Sequence, residues 1–250
     1  MRVEQWSLAR SGYMHPPASM SPSTTDPVAF SWWKVGLDVN LPACGDSHSW
    51  GSMNHIDDHH TKLLQSSDPA WQLAGLCSVV FWSGVRVSDR TFQTTSAMSR
   101  LRQLRDGRKG RQPQSLSELT HLLGTMREQL QRGELGAALA TGLCIKLAGL
   151  PLATRLLALM APDKALPYDS VTAQGLLTSK TGSRLFFPVL TTTAGARSRQ
   201  LAAYEEWCSH GAEIARQLRK EGATWQDWDL SRKSFRAIDV QRAYESLGYC

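Results

Sequence analysis

Two helix breakers inside an apolar stretch constrain the fold of this chain most strongly. Residues 146–177 read KLAGLPLATRLLALMAPDKALPYDSVTAQGLL. Gly149 and Pro151 are poor helix residues, so they predict that one apolar helix ends at Lys146 and that another runs from 153 to about 160. The stretch therefore predicts two helices joined by a tight hairpin.

An aspartate stands where the next helix is predicted to begin. The segment Leu166-Pro167-Tyr168 is expected to be extended, because a residue before proline disfavours helical geometry. Asp169-Ser170 then precedes a helix predicted to start at Val171, and aspartate is a common N-cap residue. A capping role alone would account for Asp169. A catalytic role is the alternative, because a carboxylate is held one short helix away from the hairpin.

This arrangement resembles the helix-hairpin-helix DNA glycosylase superfamily, in particular the branch of 8-oxoguanine DNA glycosylase. The shared pattern is L-x-G-x-x-x-A-T-[KR], an apolar helix and a P-x-D segment, and it covers about 32 residues. Leu147, Gly149 and Leu150 match the hairpin, which in that family clamps a DNA phosphate. The resemblance places the catalytic aspartate at Asp169.

The hairpin departs from the family pattern at two points. Pro151 replaces the second hairpin glycine, which removes one backbone N–H that could be offered to phosphate. Leu152 or Ala153 stands at the position of the lyase lysine, and neither side chain can form a Schiff base. The resemblance therefore implies a monofunctional glycosylase that leaves an abasic site in an intact strand.

The resemblance also implies an architecture, a mostly α fold in which two packed helical lobes enclose a cleft for DNA. Residues 116–195 would form the helix-hairpin-helix lobe, and residues 31–115 together with 196–250 would form the other. Residues 1–30 are rich in Ser, Pro and Thr, which predicts a loosely ordered N-terminal arm.

Four further helices are predicted by breakers, caps and apolar periodicity. They start at Asp68-Pro69 and end at Gly84, follow the capping box Ser115 to Glu118, run from Arg197 to Gly222, and run from about Ser234 to Leu247.

Charge and composition are compatible with a DNA-binding enzyme. The chain of 250 residues has a net charge of +6 and a pI near 9.2, with 42% hydrophobic and 20% charged residues. A basic surface favours polyanions without proving a nucleic-acid partner.

No apolar window is long enough to span a bilayer, no secretory signal is evident, and five scattered cysteines suggest reduced thiols. We expect a cytoplasmic monomer without a cofactor, a membrane contact or an obligate protein partner.

The predicted DNA grip combines the hairpin with nearby basic residues. It comprises Lys146, Gly149, Leu150, Leu152 and Arg155, together with Arg108 and Lys109 from the sequence GRKGR. A loop of arginine and glycine suits phosphate contacts, but a solvated connection between helices has the same composition.

Aromatic residues provide candidates for a base pocket. Trp82 and Arg86 lie beside a predicted helix end, and Trp225 and Trp228 lie between the two last predicted helices. Such side chains can wall a pocket or stack on a flipped base, but tryptophans between helices are more often part of the core.

A second cluster suggests metal chemistry. Cys44 and His48 are four residues apart, as are His55 and His59, and the second pair would share one helix face. The favoured interpretation is a polar surface loop in which histidines cap a helix, with Asp57 and Asp58 in an ordinary acidic turn. A metal-dependent hydrolase or nuclease is the alternative.

The sequence leaves the substrate open. The resemblance extends to bacterial anti-phage glycosylases, including those that remove glucosylated hydroxymethylcytosine from phage DNA, while an oxidised purine is the ordinary repair substrate. A catalytically silent DNA-binding module that keeps the hairpin alone is a further alternative.

Overall fold

The computed structural model describes residues 1–13, 28–32, 37–41, 52–84, 86–88, 91–93, 95–146, 148–178 and 194–248. Within these ranges the chain is mostly helical, with ten helices and three antiparallel strand pairs, β1 with β2, β3 with β4, and β5 with β6. This confirms the predicted mostly α class. The division into two lobes stays a prediction.

The elements follow one another along the chain with these bounds. The helices are α1 (Val3–Gly12), α2 (Met53–Gln65), α3 (Pro69–Gly84), α4 (Thr95–Asp106), α5 (Leu116–Gln131), α6 (Leu135–Gly142), α7 (Leu150–Met160), α8 (Ser170–Thr178), α9 (Ala194–Lys220) and α10 (Ala237–Gly248). The strands are β1 (Val28–Trp32), β2 (Leu37–Leu41), β3 (Arg86–Ser88), β4 (Thr91–Gln93), β5 (Thr224–Gln226) and β6 (Arg232–Ser234).

Local signals placed several helix ends correctly. Helix α3 begins at Pro69 and ends at Gly84, as predicted. The capping box before α5 is formed, because the Glu118 N–H donates to Ser115 Oγ at 3.2 Å and the Ser115 N–H donates to Glu118 Oε2 at 2.8 Å. Gly222 follows α9 with a positive φ of 71°, a conformation that glycine adopts without strain.

The N-terminus differs from the predicted loosely ordered arm. Residues 3–12 form α1, which packs against α10. Trp6 is buried, and its ring meets the Tyr244 ring edge to face at 5.1 Å. The expectation was wrong for these residues because the prolines and threonines that motivated it all follow residue 13, and burial of Trp6 in the core stabilises the helix. Residues 14–27 lie outside the described ranges.

The region before the last helix also differs from expectation. The final helix was predicted to start at about Ser234, but Ser234 ends strand β6 and α10 begins at Ala237. Strands β5 and β6 form a small hairpin in which Thr224 pairs with Ser234 and Trp225 with Lys233. A two-strand hairpin of this size is stable only when it packs on a core, which local sequence does not reveal.

Helix α9 holds the segment that leads to Asp169. The Trp207 indole N–H donates to the Pro167 carbonyl at 3.1 Å. Gly211 allows a close approach, since a Cβ at this position would lie 2.2 Å from Leu166 Cδ2. Both contacts fix the extended residues between α7 and α8 against the core. None of the helices within the described ranges is long and apolar enough to cross a lipid bilayer.

Candidate active site and basic cavity

The predicted hairpin is present as a turn between two helices, with shifted ends. Helix α6 ends at Gly142, four residues before the predicted end, and α7 starts at Leu150, three residues before the predicted start. Pro151 lies in the first turn of α7, where its missing N–H has no intrahelical partner to lose. The predicted break between the two helices is therefore present, but the placement of Pro151 in the break was wrong, because Pro151 belongs to the second helix. Leu147 lies outside the described residues.

Thr154 connects α7 to the residue before Asp169. Its hydroxyl donates to the Leu150 carbonyl at 2.9 Å and accepts the Tyr168 N–H at 3.0 Å, and the side chain is fully buried. These bonds hold the backbone at Tyr168 against the middle of α7. Asp169 is consequently positioned by the helix that follows the hairpin.

Asp169 caps α8 and pairs with an arginine. The Thr172 N–H donates to Asp169 Oδ1 at 2.9 Å, which is the N-cap bond considered from the sequence. Arg155 Nη2 lies 3.3 Å from Asp169 Oδ2. The aspartate side chain is 15% exposed, so the carboxylate is fixed by both oxygens and still reaches solvent.

Arg155 joins this carboxylate to a cavity. The arginine was predicted to grip a DNA phosphate, and the structure shows it beside Asp169 and in the cavity wall. The cavity has a volume of about 50 Å³. Its wall also contains Trp82, Gln241 and Glu245. By the usual requirement of about 10–15 Å³ for each water, it has room for roughly four water molecules.

The four residues proposed for a base pocket lie in different parts of the structure. Trp82 is buried and lines the cavity beside Arg155. Trp225 is 2% exposed and lies under the Arg10 guanidinium, 3.5 Å from its ring centroid, so this indole is part of the core and has no face free for a base. Trp228 is half-buried and packs against the core outside this cavity. Arg86 begins β3, and its side chain lies outside the described part of the structure.

Part of the cavity wall belongs to a network of buried charges that the sequence did not reveal. Arg242 donates two hydrogen bonds to Asp57, at 2.7 and 2.6 Å, and Arg236 contacts the same carboxylate at 2.5 Å. Arg236 and Arg10 both pair with Asp239, at 3.0 and 2.8 Å. The network thus ties α1, α2 and α10 together around the cavity.

The buried carboxylates of this network are held ionised by their arginine partners. Burial by itself would raise the pKa of Asp57, but Arg242 and Arg236 outweigh it and lower this pKa to about 2. The pKa of Asp239 is lowered in the same way, against its burial, by Arg236, Arg10 and Arg242. Asp57 was expected in an ordinary acidic turn, and that expectation was wrong because long-range partners draw it into the interior.

A sequence signal for this network exists on α10. Charged residues of alternating sign, Arg236, Asp239, Arg242 and Glu245, recur every third residue at the start of α10 and along it. Consecutive members of this series are adjacent on the helix surface. Such a stripe on a core helix indicates that its partners must come from other elements.

His60 lies in the cavity wall as a buried histidine. Its Nε2 is 2.9 Å from the Ser78 hydroxyl, and the residue is 2% exposed. Burial, followed by the neighbouring His59, lowers the pKa of His60 to about 4. The imidazole is therefore neutral at pH 7.

The buried His60 predicts a loss of stability in mild acid. Its pKa is lowered on folding, so between about pH 6.5 and 4 the unfolded chain binds more protons, and stability falls as the pH drops through this window. Across the whole window this proton uptake by the unfolded chain removes about 3 kcal/mol of stability. Melting temperatures of the wild type and of His60→Gln at pH 7 and pH 5 test this. The variant should lose less between the two pH values, because glutamine can still bond Ser78 and does not titrate.

Exposed His121, on α5, provides the matched control. His121→Gln should leave the difference in melting temperature between the two pH values unchanged. An identical decline in the wild type and in His60→Gln would contradict the assignment of this acid sensitivity to His60.

A second, basic cavity lies at the start of α7. Its volume is about 310 Å³, and its wall contains Arg108, Lys146, Gly149 and Leu152 from the predicted DNA grip, with Arg100 as a further cation. No acidic side chain lines it among the described residues. The N-terminus of α7 adds the positive end of a helix dipole. The structure therefore gathers residues from two separate parts of the sequence into one cationic surface.

The other predicted DNA contacts lie apart from this cavity. Leu150 is 8% exposed and belongs to the core. Lys109 is exposed in a tight turn, closed by hydrogen bonds between the backbones of Arg108 and Arg111 at 3.0 and 2.8 Å. Gly110 in this turn has a φ of 76°.

The residues considered for a metal site are only partly described. His55 and His59 lie on α2, and the His59 ring meets the His60 ring edge to face at 5.8 Å. Cys44 and His48 lie outside the described residues. In the ranges that the structure describes, no group of three His, Cys, Asp or Glu side chains is arranged to hold a metal ion.

No protein-family model, curated protein or solved structure matches this chain.

Proposed function

We propose that this chain is a monofunctional DNA glycosylase that hydrolyses the N-glycosidic bond of a modified base and leaves an abasic site. The observation that carries the proposal is the Asp169 carboxylate, which is fixed at the N-terminus of α8 and paired with an arginine of a cavity wall. The other features only supply the surroundings that such a carboxylate requires.

A fixed carboxylate suits the chemistry of this reaction. When the bond between the sugar and the base breaks, positive charge develops on the sugar ring. A carboxylate next to the anomeric carbon stabilises that charge and can accept a proton from the attacking water. Asp169 is partly exposed and held in one orientation by Thr172 and Arg155, so little reorganisation is needed when the charge develops.

The basic cavity supports a DNA substrate because of its position. Leu152 lines the basic cavity and Arg155 lines the cavity beside Asp169. These residues are three apart on α7, which is about 4.5 Å along the helix axis. A phosphate bound by Arg108 and Lys146 would therefore lie near a nucleotide whose sugar contacts Asp169.

The small volume beside Asp169 implies that a base enters only when the cavity opens. A cavity of about 50 Å³ holds a few waters and is too small for a nucleobase. In the proposed mechanism the nucleotide is turned out of the duplex, and the cavity widens to admit it while Arg155 stays paired with Asp169. Trp82 then forms part of the wall that the base contacts.

The absence of a lysine at one position supports hydrolysis without strand cleavage. Leu152 and Ala153 occupy the position of the lyase lysine in the resemblance, and Ala153 is fully buried. With no amine there, water is the nucleophile, and the expected product is an abasic site in an intact strand.

The proposal is tested by measuring base release directly. The protein is incubated with duplexes that contain an unmodified base, an oxidised purine or glucosylated hydroxymethylcytosine, and free base and alkali-labile sites are then quantified. Release of one modified base, with strand breaks only after alkali, supports the proposal. Tight DNA binding without any released base would favour the silent DNA-binding module, whereas strand cleavage that a chelator stops would favour the metal-dependent alternative.

Removing cations from the basic cavity should weaken DNA binding uniformly across sequences. Each phosphate contact contributes about 0.9 to the slope of log affinity against log salt concentration. For Arg108→Ala combined with Lys146→Ala we expect the slope to fall by about 1.8 and the affinity near 0.1 M salt to fall roughly ten- to a hundredfold. Fluorescence anisotropy at several salt concentrations measures both quantities.

Arg132→Ala is the matched control for this experiment, since Arg132 is 56% exposed at the end of α5 and pairs with Glu134. It should leave affinity and salt slope unchanged. An equal effect of the control and of the double variant would show that net charge, and not this cavity, governs binding.

A further inference from the structure

A second carboxyl group lies close to the first. Glu245, on α10, is 7% exposed and lines the same cavity as Arg155. Gln241 donates to Glu245 Oε2 at 2.8 Å and to the Thr172 hydroxyl at 2.7 Å, and the Thr172 backbone N–H bonds Asp169. Two residues thus connect Glu245 to Asp169 through hydrogen bonds.

The surroundings of Glu245 favour its protonated form. Burial raises its pKa, the negative charge of Asp169 raises it further, and Arg155, the hydrogen bond from Gln241 and Arg242 oppose the rise without cancelling it. The ionisable groups that line the cavity are Tyr13, which follows α1, and five residues of α2, α7 and α10, namely Asp57, His60, Arg155, Arg242 and Glu245 itself. Of the two neighbouring carboxyl groups, only Glu245 is enclosed in the cavity wall.

The other groups of the cavity wall fit the role of proton donor poorly. Asp57 is held as a carboxylate between two arginines. His60 has a pKa lowered to about 4 by burial, so it is already deprotonated at neutral pH. The pKa of Tyr13 is raised by its burial, so it holds its proton tightly.

We propose that Glu245 donates the proton that the departing base needs, an inference that rests on the proposed glycosylase function. As the bond between the anomeric carbon and the base nitrogen breaks, its electron pair goes to the base, which takes the proton of Glu245. Water then adds its oxygen to the anomeric carbon and gives a proton to Asp169. Glu245 is left as a carboxylate and Asp169 as an acid, and exchange with solvent restores both.

This assignment gives the two carboxyl groups different tasks. A general acid must be protonated and a charge stabiliser must be ionised at the same pH, which requires environments that separate their pKa values. Glu245 is buried and its pKa is raised, whereas the Asp169 side chain is partly exposed. The bond network through Gln241 and Thr172 keeps the spacing of the two groups constant.

The decisive variant is Glu245→Gln, in which the amide keeps the size of the carboxyl group and can still accept the bond from Gln241. Base release is measured in single-turnover assays between pH 5 and 9 with two substrates. One contains a neutral modified base, and the other contains N7-methylguanine, whose positive charge makes it a good leaving group without a proton. For the neutral base we expect a loss of roughly 10²- to 10³-fold. We also expect the rate of base release to decline at alkaline pH in the wild type and not in Glu245→Gln. For N7-methylguanine the loss should be less than about fivefold, because general acid catalysis contributes little there.

The outcomes separate this inference from the proposed function. If the wild type releases no base from any duplex, the glycosylase proposal fails and this inference falls with it. If Asp169→Asn abolishes release but Glu245→Gln keeps the wild-type rate and pH profile, only the inference about Glu245 fails. An equal loss on the neutral and the charged base would assign Glu245 a structural role.

The wild type alone provides a check that does not depend on the folding of a variant. Its rate on a neutral base should decline at a pH above the ordinary range of a carboxylic acid, as Glu245 loses its proton. A rate that shows no decline at any pH above the ordinary range of a carboxylic acid would overturn the assignment.

Discussion

Asparagine in place of Asp169 is expected to slow base release by roughly 10³-fold while the protein remains folded. The amide retains an oxygen that can accept the Thr172 N–H and cap α8, so the local structure should persist. What is lost is the negative charge that stabilises the sugar in the transition state and the base that takes a proton from water. Single-turnover release of the modified base, together with the melting temperature of each protein, measures both effects.

The matched control for Asp169→Asn is Asp163→Asn. Asp163 follows α7 within ten residues of Asp169, but its side chain is 68% exposed. Its carboxylate lies 3.8 Å from the Arg219 guanidinium. This substitution should leave the rate unchanged.

DNA affinity should be preserved or slightly raised by Asp169→Asn, because a negative charge near the phosphate backbone is removed. A variant that keeps the wild-type rate of base release would refute the catalytic role, and Asp169 would then serve as a helix cap.

The largest effect on stability is expected for Asp57→Ala. The carboxylate is 1% exposed and pairs with both Arg236 and Arg242. Removing one member of a buried ion-pair network leaves the remaining charges without compensation, and such changes typically cost 3–5 kcal/mol. For a chain of 250 residues this should lower the melting temperature by roughly 10 °C. Thermal and urea unfolding would measure the change.

Asp58 offers a control from the adjacent position, since it lies on the same helix and its side chain is exposed. Asp58→Ala should change the stability by less than about 0.5 kcal/mol. Similar losses for the two alanine variants would show that the helix, and not the ion pairs, responds to these substitutions.

Acid provides a second test of Asp57. Its folded pKa of about 2 lies below the unfolded value of 3.8, so its contribution is present above pH 3.8 and is lost as the pH falls towards 2. Wild-type stability should therefore decline in this window. The decline should be smaller in Asp57→Ala, because the variant has already lost that contribution.

Asp169 could be found from the sequence because the signals that place it are local. A proline before Tyr168 and an aspartate before a helix fix an extended segment and a cap through interactions between neighbours in the chain. For the same reason the start of α3 and the capping box of α5 were predicted correctly. Pro151 was misjudged because the same residue breaks a helix interior and favours a helix start.

The rest of the site could not be predicted because its members meet only in the folded chain. Arg155 pairs with Asp169 across fourteen positions, but Arg10 reaches Asp239 across 229 and Arg242 reaches Asp57 across 185. Glu245 differs from an ordinary surface carboxyl group only because α10 packs against α1, α8 and α9. No local pattern specifies which helices will surround a given charge.

The sequence by itself determined the helical class, several helix ends and the placement of Asp169 at a helix N-terminus, because caps, breakers and periodicity act within a few residues. Tertiary structure decided which charges are buried, which tryptophan lines a cavity, and which basic residues gather at the start of α7. Those properties depend on burial and on partners distant in sequence, and both are set when the helices pack.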